Sequence, residues 1–215
     1  MRNIKSFKKF NEGLEVNTQT KDIDFLFEQN KELSLIGSKE QYVEYLKTIF
    51  PESNLKEIVY HSTNKNFEDF DKDKVGSRVE GAPVGGDTGA FGRGIYFTPN
   101  ITYSKVYGKN TKYCLVDIKN PKLIFNNDAN DKLYSNKSLK DLWGNNVDGV
   151  IFKVTDWKAV VDSGEHASME EFNSLGLGIN NKPEIVDVVV DNQSQVHILG
   201  GRKDIEQFKN FLSKK

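Results

Sequence analysis

The chain has 215 residues, of which 30 are basic and 31 acidic, leaving a formal net charge of −1. That length suits one full domain with a small appendage rather than two independent domains. The balanced charge excludes the broad positive field with which dedicated nucleic-acid binders hold phosphates, though it leaves a local basic groove open. The single cysteine, Cys114, excludes an intramolecular disulfide and a four-cysteine zinc site. The histidines at 61, 166 and 197 are too scattered for metal-ligand spacing, so no metal is expected and a reducing compartment fits.

The N-terminus, MRNIKSFKKFNEG, is basic and amphipathic, with Ile4, Phe7 and Phe10 three apart. It reads as a short capping helix, or alternatively as a docking or targeting peptide. It lacks the apolar core of about 7 to 15 residues that marks a signal peptide, and no apolar run approaches the roughly 20 residues of a membrane span, so a soluble, cytoplasmic protein is expected. Residues 14–22 are polar and aperiodic, as in a linker. A helix is expected from about Ile23 to Leu35. A second starts at Ser38, whose hydroxyl can cap it while Gln41 completes a capping box. Tyr42, Tyr45, Leu46 and Ile49 follow the spacing of one buried helical face, and Pro51 ends it.

From Ile58 the texture changes to short β-branched and aromatic runs: IVYHST, GIYFT, KYCLVDI, DGVIFKV, EIVDVVV and SQVHIL. Helical patterns are few in this half, at about 101–107, 137–143 and the C-terminal DIEQFKNFLSKK. Strands without regular intervening helices predict an α+β fold, with a split, mainly antiparallel β core, flanking helices and an N-terminal helical segment. The expected division is a basic segment and linker over 1–21, a helical lobe over 22–56 and a main domain over 57–215. Cys114 should pack as a small hydrophobe and His197 should sit on the last strand.

Seven glycines fall between Gly76 and Gly94. A dinucleotide fingerprint needs a helix to open from such a run, whereas the strand IYFT follows here, and no lysine with a hydroxyl residue completes a phosphate loop. The run reads instead as a flap beside a functional site.

Three motifs flank that flap: Tyr60-His61-Ser62-Thr63, then Phe91-Gly92-Arg93-Gly94-Ile95-Tyr96-Phe97, then Thr102-Tyr103-Ser104-Lys105-Val106-Tyr107. In this order they resemble the NAD⁺-binding core of the diphtheria-toxin and poly(ADP-ribose) polymerase class of ADP-ribosyltransferases, most sharply in GRGIYFTPNITYSKVY and more loosely over residues 38 to 200. The resemblance implies that NAD⁺ is bound as substrate, without a metal, by His61, Ser62, Thr63, Gly94, Tyr96, Ser104 and Tyr107. Within that set His61 meets the adenosine ribose, the Ser62 backbone and the Ser104 hydroxyl meet the nicotinamide amide, and Tyr96 and Tyr107 sandwich its ring. Two tyrosine faces suit a flat aromatic cation. Serine at 62 departs from the family's usual glycine and adds a side chain beside the nicotinamide slot.

Cleaving the nicotinamide–ribose bond builds positive charge on the ribose, so a carboxylate is required. The family supplies a glutamate from a late strand. Counting back from Gln195-Val196 without a gap reaches Asp187, one methylene shorter, and a misplacement of about 1 Å can cost on the order of 100-fold in rate. Glu184 is the alternative carboxylate. Strand alternation puts it on the opposite face from Asp187 unless a bulge intervenes. The rival class, with its arginine, serine-threonine-serine stretch and Glu-x-Glu turn, has none of its marks here. The resemblance thus implies a mono-ADP-ribosyltransferase acting on a protein acceptor. An inactive NAD-binding module, a virion component and an NAD glycohydrolase stand as alternatives, and a nucleic-acid acceptor is not excluded. The layout is also similar to accessory proteins of large tailed bacteriophages, which implies host-protein targets in the bacterial cytoplasm.

Overall fold

The computed structural model describes residues 20–71, 90–125, 137–162, 168–180 and 182–215. The segment bearing Ile4, Phe7 and Phe10, most of the glycine run (Gly76 to Gly89) and His166 lie outside them. Helix α1 (Thr20–Gln29) begins inside the stretch expected to be linker, and the helix expected to continue to Leu35 breaks at Asn30. The Asn30 side chain accepts from Glu32 N–H to start α2 (Lys31–Ile36) and donates to the Gly200 carbonyl at 2.9 Å, a contact 170 residues away that local pattern cannot register. Helix α3 (Lys39–Leu46) opens with the expected Ser38–Gln41 capping box and buries Tyr42, Tyr45 and Leu46. It ends at Leu46, before Pro51, in a series of turns.

The remaining elements run β1 (Val59–Thr63), β2 (Ile95–Phe97), α4 (Ile101–Ser104) with a 3₁₀ turn over Lys105–Tyr107, β3 (Asn110–Val116), β4 (Pro121–Phe125), α5 (Leu139–Trp143), β5 (Gly149–Val154), α6 (Trp157–Asp162), α7 (Met169–Ser174), β6 (Glu184–Val190), β7 (Val196–Ile198) and α8 (Arg202–Leu212). Among the described residues the strands form two sheets, ordered β1-β3-β7 and β2-β6-β5-β4. All pairs are antiparallel except β4 with β5, which are parallel and joined by a crossover that carries α5. The molecule is therefore α+β with a mainly antiparallel core. Strand β4 and helices α6 and α7 add to the expected elements.

Alternation along the strands divides the core. Val59, Cys114 and Val116 of the first sheet meet Phe97, Ile151 and Val188 of the second between the two sheets. The outer face of the first sheet, through Tyr60, Tyr113 and Leu115, is covered by α1, α3 and α8 in one apolar cluster. The outer face of the second, through Val150 and Val189, is covered by Phe91 and Leu139. Cys114 is fully buried, and His197 lies on β7.

Candidate functional site

The two sheets touch where β1 meets the end of β2. Tyr60 N–H donates to the Thr98 carbonyl at 2.8 Å, and Thr98 N–H returns to the Tyr60 carbonyl at 3.1 Å. Continuing that register sets Ser62 opposite Tyr96 and His61 opposite Phe97. The strands part at this point, and the next backbone acceptor, the Tyr96 carbonyl, is met at 2.8 Å by the His61 ring nitrogen Nδ1. Only a protonated Nδ1 can bond a carbonyl, so the neutral ring carries its acceptor on Nε2. Burial among Phe67, Phe70 and Phe97 lowers the His61 pKa and favours this neutral form.

On the other face of β1, Ser62 bonds the Ser104 hydroxyl at 2.7 Å and the Thr111 hydroxyl at 2.8 Å. The Ser62 side chain is thus turned toward α4 and β3. The segment after Tyr107 reaches β1 through Gly108, where any side chain would collide with the Thr63 backbone. This close approach sets Tyr107 beside the end of β1, where its hydroxyl meets that of Tyr103 at 2.9 Å. Thr63 is itself buried and accepts from Lys65 N–H. Gly94 packs directly on β6, since a Cβ there would meet Val189 and the Val190 carbonyl, so its lack of a side chain is accounted for by strand packing.

Tyr96 is fixed at its hydroxyl, which donates to the Gly92 carbonyl at 2.7 Å and accepts from Phe91 N–H at 2.9 Å. Burial raises its pKa first, the Phe91 amide opposes that rise, and the charges of Asp187 and Tyr107 add to it. Tyr96 pairs with Val189, which shares a face of β6 with Asp187 two residues away. Tyr96 and Tyr107 make no direct ring contact among the described residues. The Tyr107 ring lies edge-on to Tyr103 at 5.6 Å.

Strand β6 places the two candidate carboxylates. Asp187 pairs with Phe152 and Ile185 with Lys153, so Val186 is an extra residue in a bulge. Glu184 then pairs with Val154, which shares a face with Phe152, and both carboxylates point to the same side of the sheet. Their surroundings differ. Glu184 Oε1 accepts from Gly178 N–H, and although burial raises its pKa, the Gly178 amide opposes that rise. Asp187 receives no hydrogen bond among the described residues, and burial alone pushes it up to about 7. It retains some accessible surface, so an entering ligand can reach it.

Ser62, Ser104 and Tyr107 thus lie together at the end of β1, Tyr96, Asp187 and Glu184 share one face of the second sheet, and His61 lies at the seam, turned toward the phenylalanines. Sequence reasoning missed Phe67, Phe70, Gly108 and Thr111. It also missed Asn100, whose side chain caps α4 and whose amide donates to the Gly176 carbonyl, tying the loop before β6 to the helix that carries Ser104. Gly108, directly after Tyr107, was the one local signal available. Among the described residues no group of side chains is arranged to hold a metal ion, and no helix is long and apolar enough to cross a membrane. Neither a scan of family models nor a search of curated proteins finds a match to this chain.

Proposed function

We propose that the chain binds NAD⁺ and transfers its ADP-ribosyl group to a protein acceptor, with nicotinamide as the leaving group. The observation that carries this reading is the placing of Ser104 and Tyr107 beside the end of β1, at the split between two sheets, and of Tyr96 and Asp187, an aspartate with no donor among the described residues, on one face of the second sheet. These are the residue types that an oxocarbenium-forming glycosyl transfer uses: flat faces for a cationic ring, a hydroxyl for an amide and a carboxylate for developing positive charge.

In this reading Tyr96 and Tyr107 hold the nicotinamide ring, Ser104 its amide and His61 Nε2 a ribose hydroxyl. Asp187 accepts from the hydroxyl of the reacting ribose and stabilises that sugar as the C1′–N bond breaks. The bonding pair leaves with nicotinamide, which becomes neutral, and the acceptor nucleophile attacks C1′ and releases its proton to solvent. Glu184 is already engaged by Gly178, so Asp187 is the better placed of the two carboxylates. If the chain is a bacteriophage product, its acceptors are host proteins in the bacterial cytoplasm.

Incubation with labelled NAD⁺ and a bacterial lysate tests the proposal. Acceptor labelling and nicotinamide release are expected from the wild type and should be lost in Tyr96→Ala. Free ADP-ribose without acceptor labelling would identify a glycohydrolase. Tight NAD⁺ binding without either product would identify a binding module, a reading favoured by aspartate standing where the family has glutamate.

A further inference from the structure

Ser62, Ser104 and Thr111 form a string of three hydroxyls joined by two hydrogen bonds of 2.7 and 2.8 Å, with Ser62 in the middle. Ser62 is 4% and Ser104 1% exposed, while Thr111, at the other end, is partly open to solvent. Three hydroxyl protons serve two bonds, so one proton is always left over; on the buried Ser62 it would have no acceptor among the described residues, so it is placed at one end of the string or the other. Either Ser104 donates inward, Ser62 donates to Thr111 and Thr111 offers its proton to water, or all three turn and Ser104 offers its proton outward. With no other partner for these hydroxyls among the described residues, the first sense suits the free protein. A carbonyl oxygen arriving at Ser104 selects the second.

We propose that Ser62 and Thr111 are positioning residues that hold the Ser104 hydroxyl as a donor toward the carbonyl oxygen of the nicotinamide amide. This rests on the proposed NAD⁺ reading of the site. In the donating sense Ser104 accepts from Ser62, and Ser62 accepts from Thr111. Each bond polarises the next, so the terminal donor is stronger than a lone serine would be. The serine at 62 is then a functional replacement for a smaller residue. Its side chain adds orientation to the amide contact without filling the space beside it, because its hydroxyl is turned toward α4 and β3.

The test compares Ser62→Ala, Thr111→Val and Ser62→Thr with the wild type. It reads the NAD⁺ KM, kcat, and inhibition by the product nicotinamide and by its analogue 3-acetylpyridine, which keeps the carbonyl but lacks the amide nitrogen. Loss of one neutral hydrogen bond in the string should raise the NAD⁺ KM and both inhibition constants by about three- to tenfold. KM should rise more than kcat falls, and Ser62→Thr, which retains a hydroxyl, should lie within about twofold of the wild type on the same scale. Thr111→Val conserves side-chain volume and serves where Ser62→Ala fails to fold. Unchanged inhibition constants in a folded Thr111→Val variant would overturn the inference alone, as would a Ser62→Thr variant as impaired as Ser62→Ala. Wild-type protein that neither binds nor cleaves NAD⁺ would overturn the reading of the site and this inference with it.

Discussion

Two enclosed aspartates in this molecule have opposite circumstances. Asp204, fully buried at the start of α8, accepts from the Tyr42 hydroxyl at 2.5 Å, the Tyr45 hydroxyl at 3.1 Å and Gly200 N–H at 2.8 Å, and pairs with His197 Nε2 at 2.6 Å. It joins α3, β7 and α8, and every lone-pair direction has a partner. Asp187 is enclosed on the outer face of the second sheet and receives no described donor. A carboxylate surrounded by donors is held as part of the fold, whereas one left without them destabilises the fold in its charged form and is available to a ligand. The same residue type is therefore part of the fold in one place and, in the proposed function, part of the chemistry in the other, and the hydrogen-bond partners make the distinction.

The sharpest way to break this comparison is to remove each carboxylate. Asp187→Ala should lower kcat by about 100- to 1,000-fold, the range for losing one group that stabilises transition-state charge, while the NAD⁺ KM moves little. Its melting temperature should not fall. Asp204→Ala should do the reverse, costing roughly 3 kcal/mol in a denaturant titration because buried donors lose their acceptor, with NAD⁺ kinetics per folded molecule unchanged. A stability loss at Asp187 with turnover intact would dissolve the distinction.

The next effect is on pH dependence. Burial holds Asp187 at about 7 when folded, above the usual carboxylate range near 4. The folded chain therefore binds the proton more tightly than the unfolded chain. The stability associated with the neutral group is complete below about pH 4, declines as pH rises from about 4 to 7, and is constant above that. In the proposed reaction activity has the opposite sense, since the ionised form is the one that stabilises the reacting ribose. The kcat/KM for NAD⁺ should rise about tenfold per pH unit up to about 7 and then level. In Asp187→Asn the decline in stability over this interval should disappear. A wild-type profile that is flat between pH 5 and 8 would show that Asp187 is not the titrating carboxylate.

How much of this was legible in the sequence depends on distance along the chain. The Ser38–Gln41 capping box and the alternation of KYCLVDI are encoded within a few residues, and both form. The sixteen residues of GRGIYFTPNITYSKVY carry Tyr96, Ser104 and Tyr107, and the chain sets them on β2, on α4 and on the 3₁₀ turn that follows it. The break at Asn30 depends on Gly200, and the bulge at Val186 depends on the register with β5. Neither can be read from its own segment. PKLIF went unread as a strand because its five residues carry a proline and a lysine, and its pairing is parallel to β5 across a crossover. His61 was legible as a residue at the junction, but its enclosure by Phe67 and Phe70 depends on how the following loop folds back.

The smallest expected effect refines the comparison within one strand. The bulge at Val186 turns Glu184 to the same side as Asp187, so facing direction alone no longer separates them. What separates them is that Glu184 already accepts a backbone N–H from Gly178. A glutamine amide oxygen can accept that bond as well as a carboxylate can, although without the charge-assisted part of its strength. Glu184→Gln should therefore retain kcat within about threefold, the size of a weakened hydrogen bond rather than of a lost catalytic charge. Glu184→Ala removes the acceptor, leaves Gly178 N–H unpaired and loosens the loop before β6, so a somewhat larger loss with a lowered melting temperature is expected. If Glu184→Gln instead falls as far as Asp187→Ala, the charge at 184 is the one the reaction needs. The bulge would then be the device that restores a glutamate to the reacting side, and the lack of a donor to Asp187 among the described residues would belong to the fold after all.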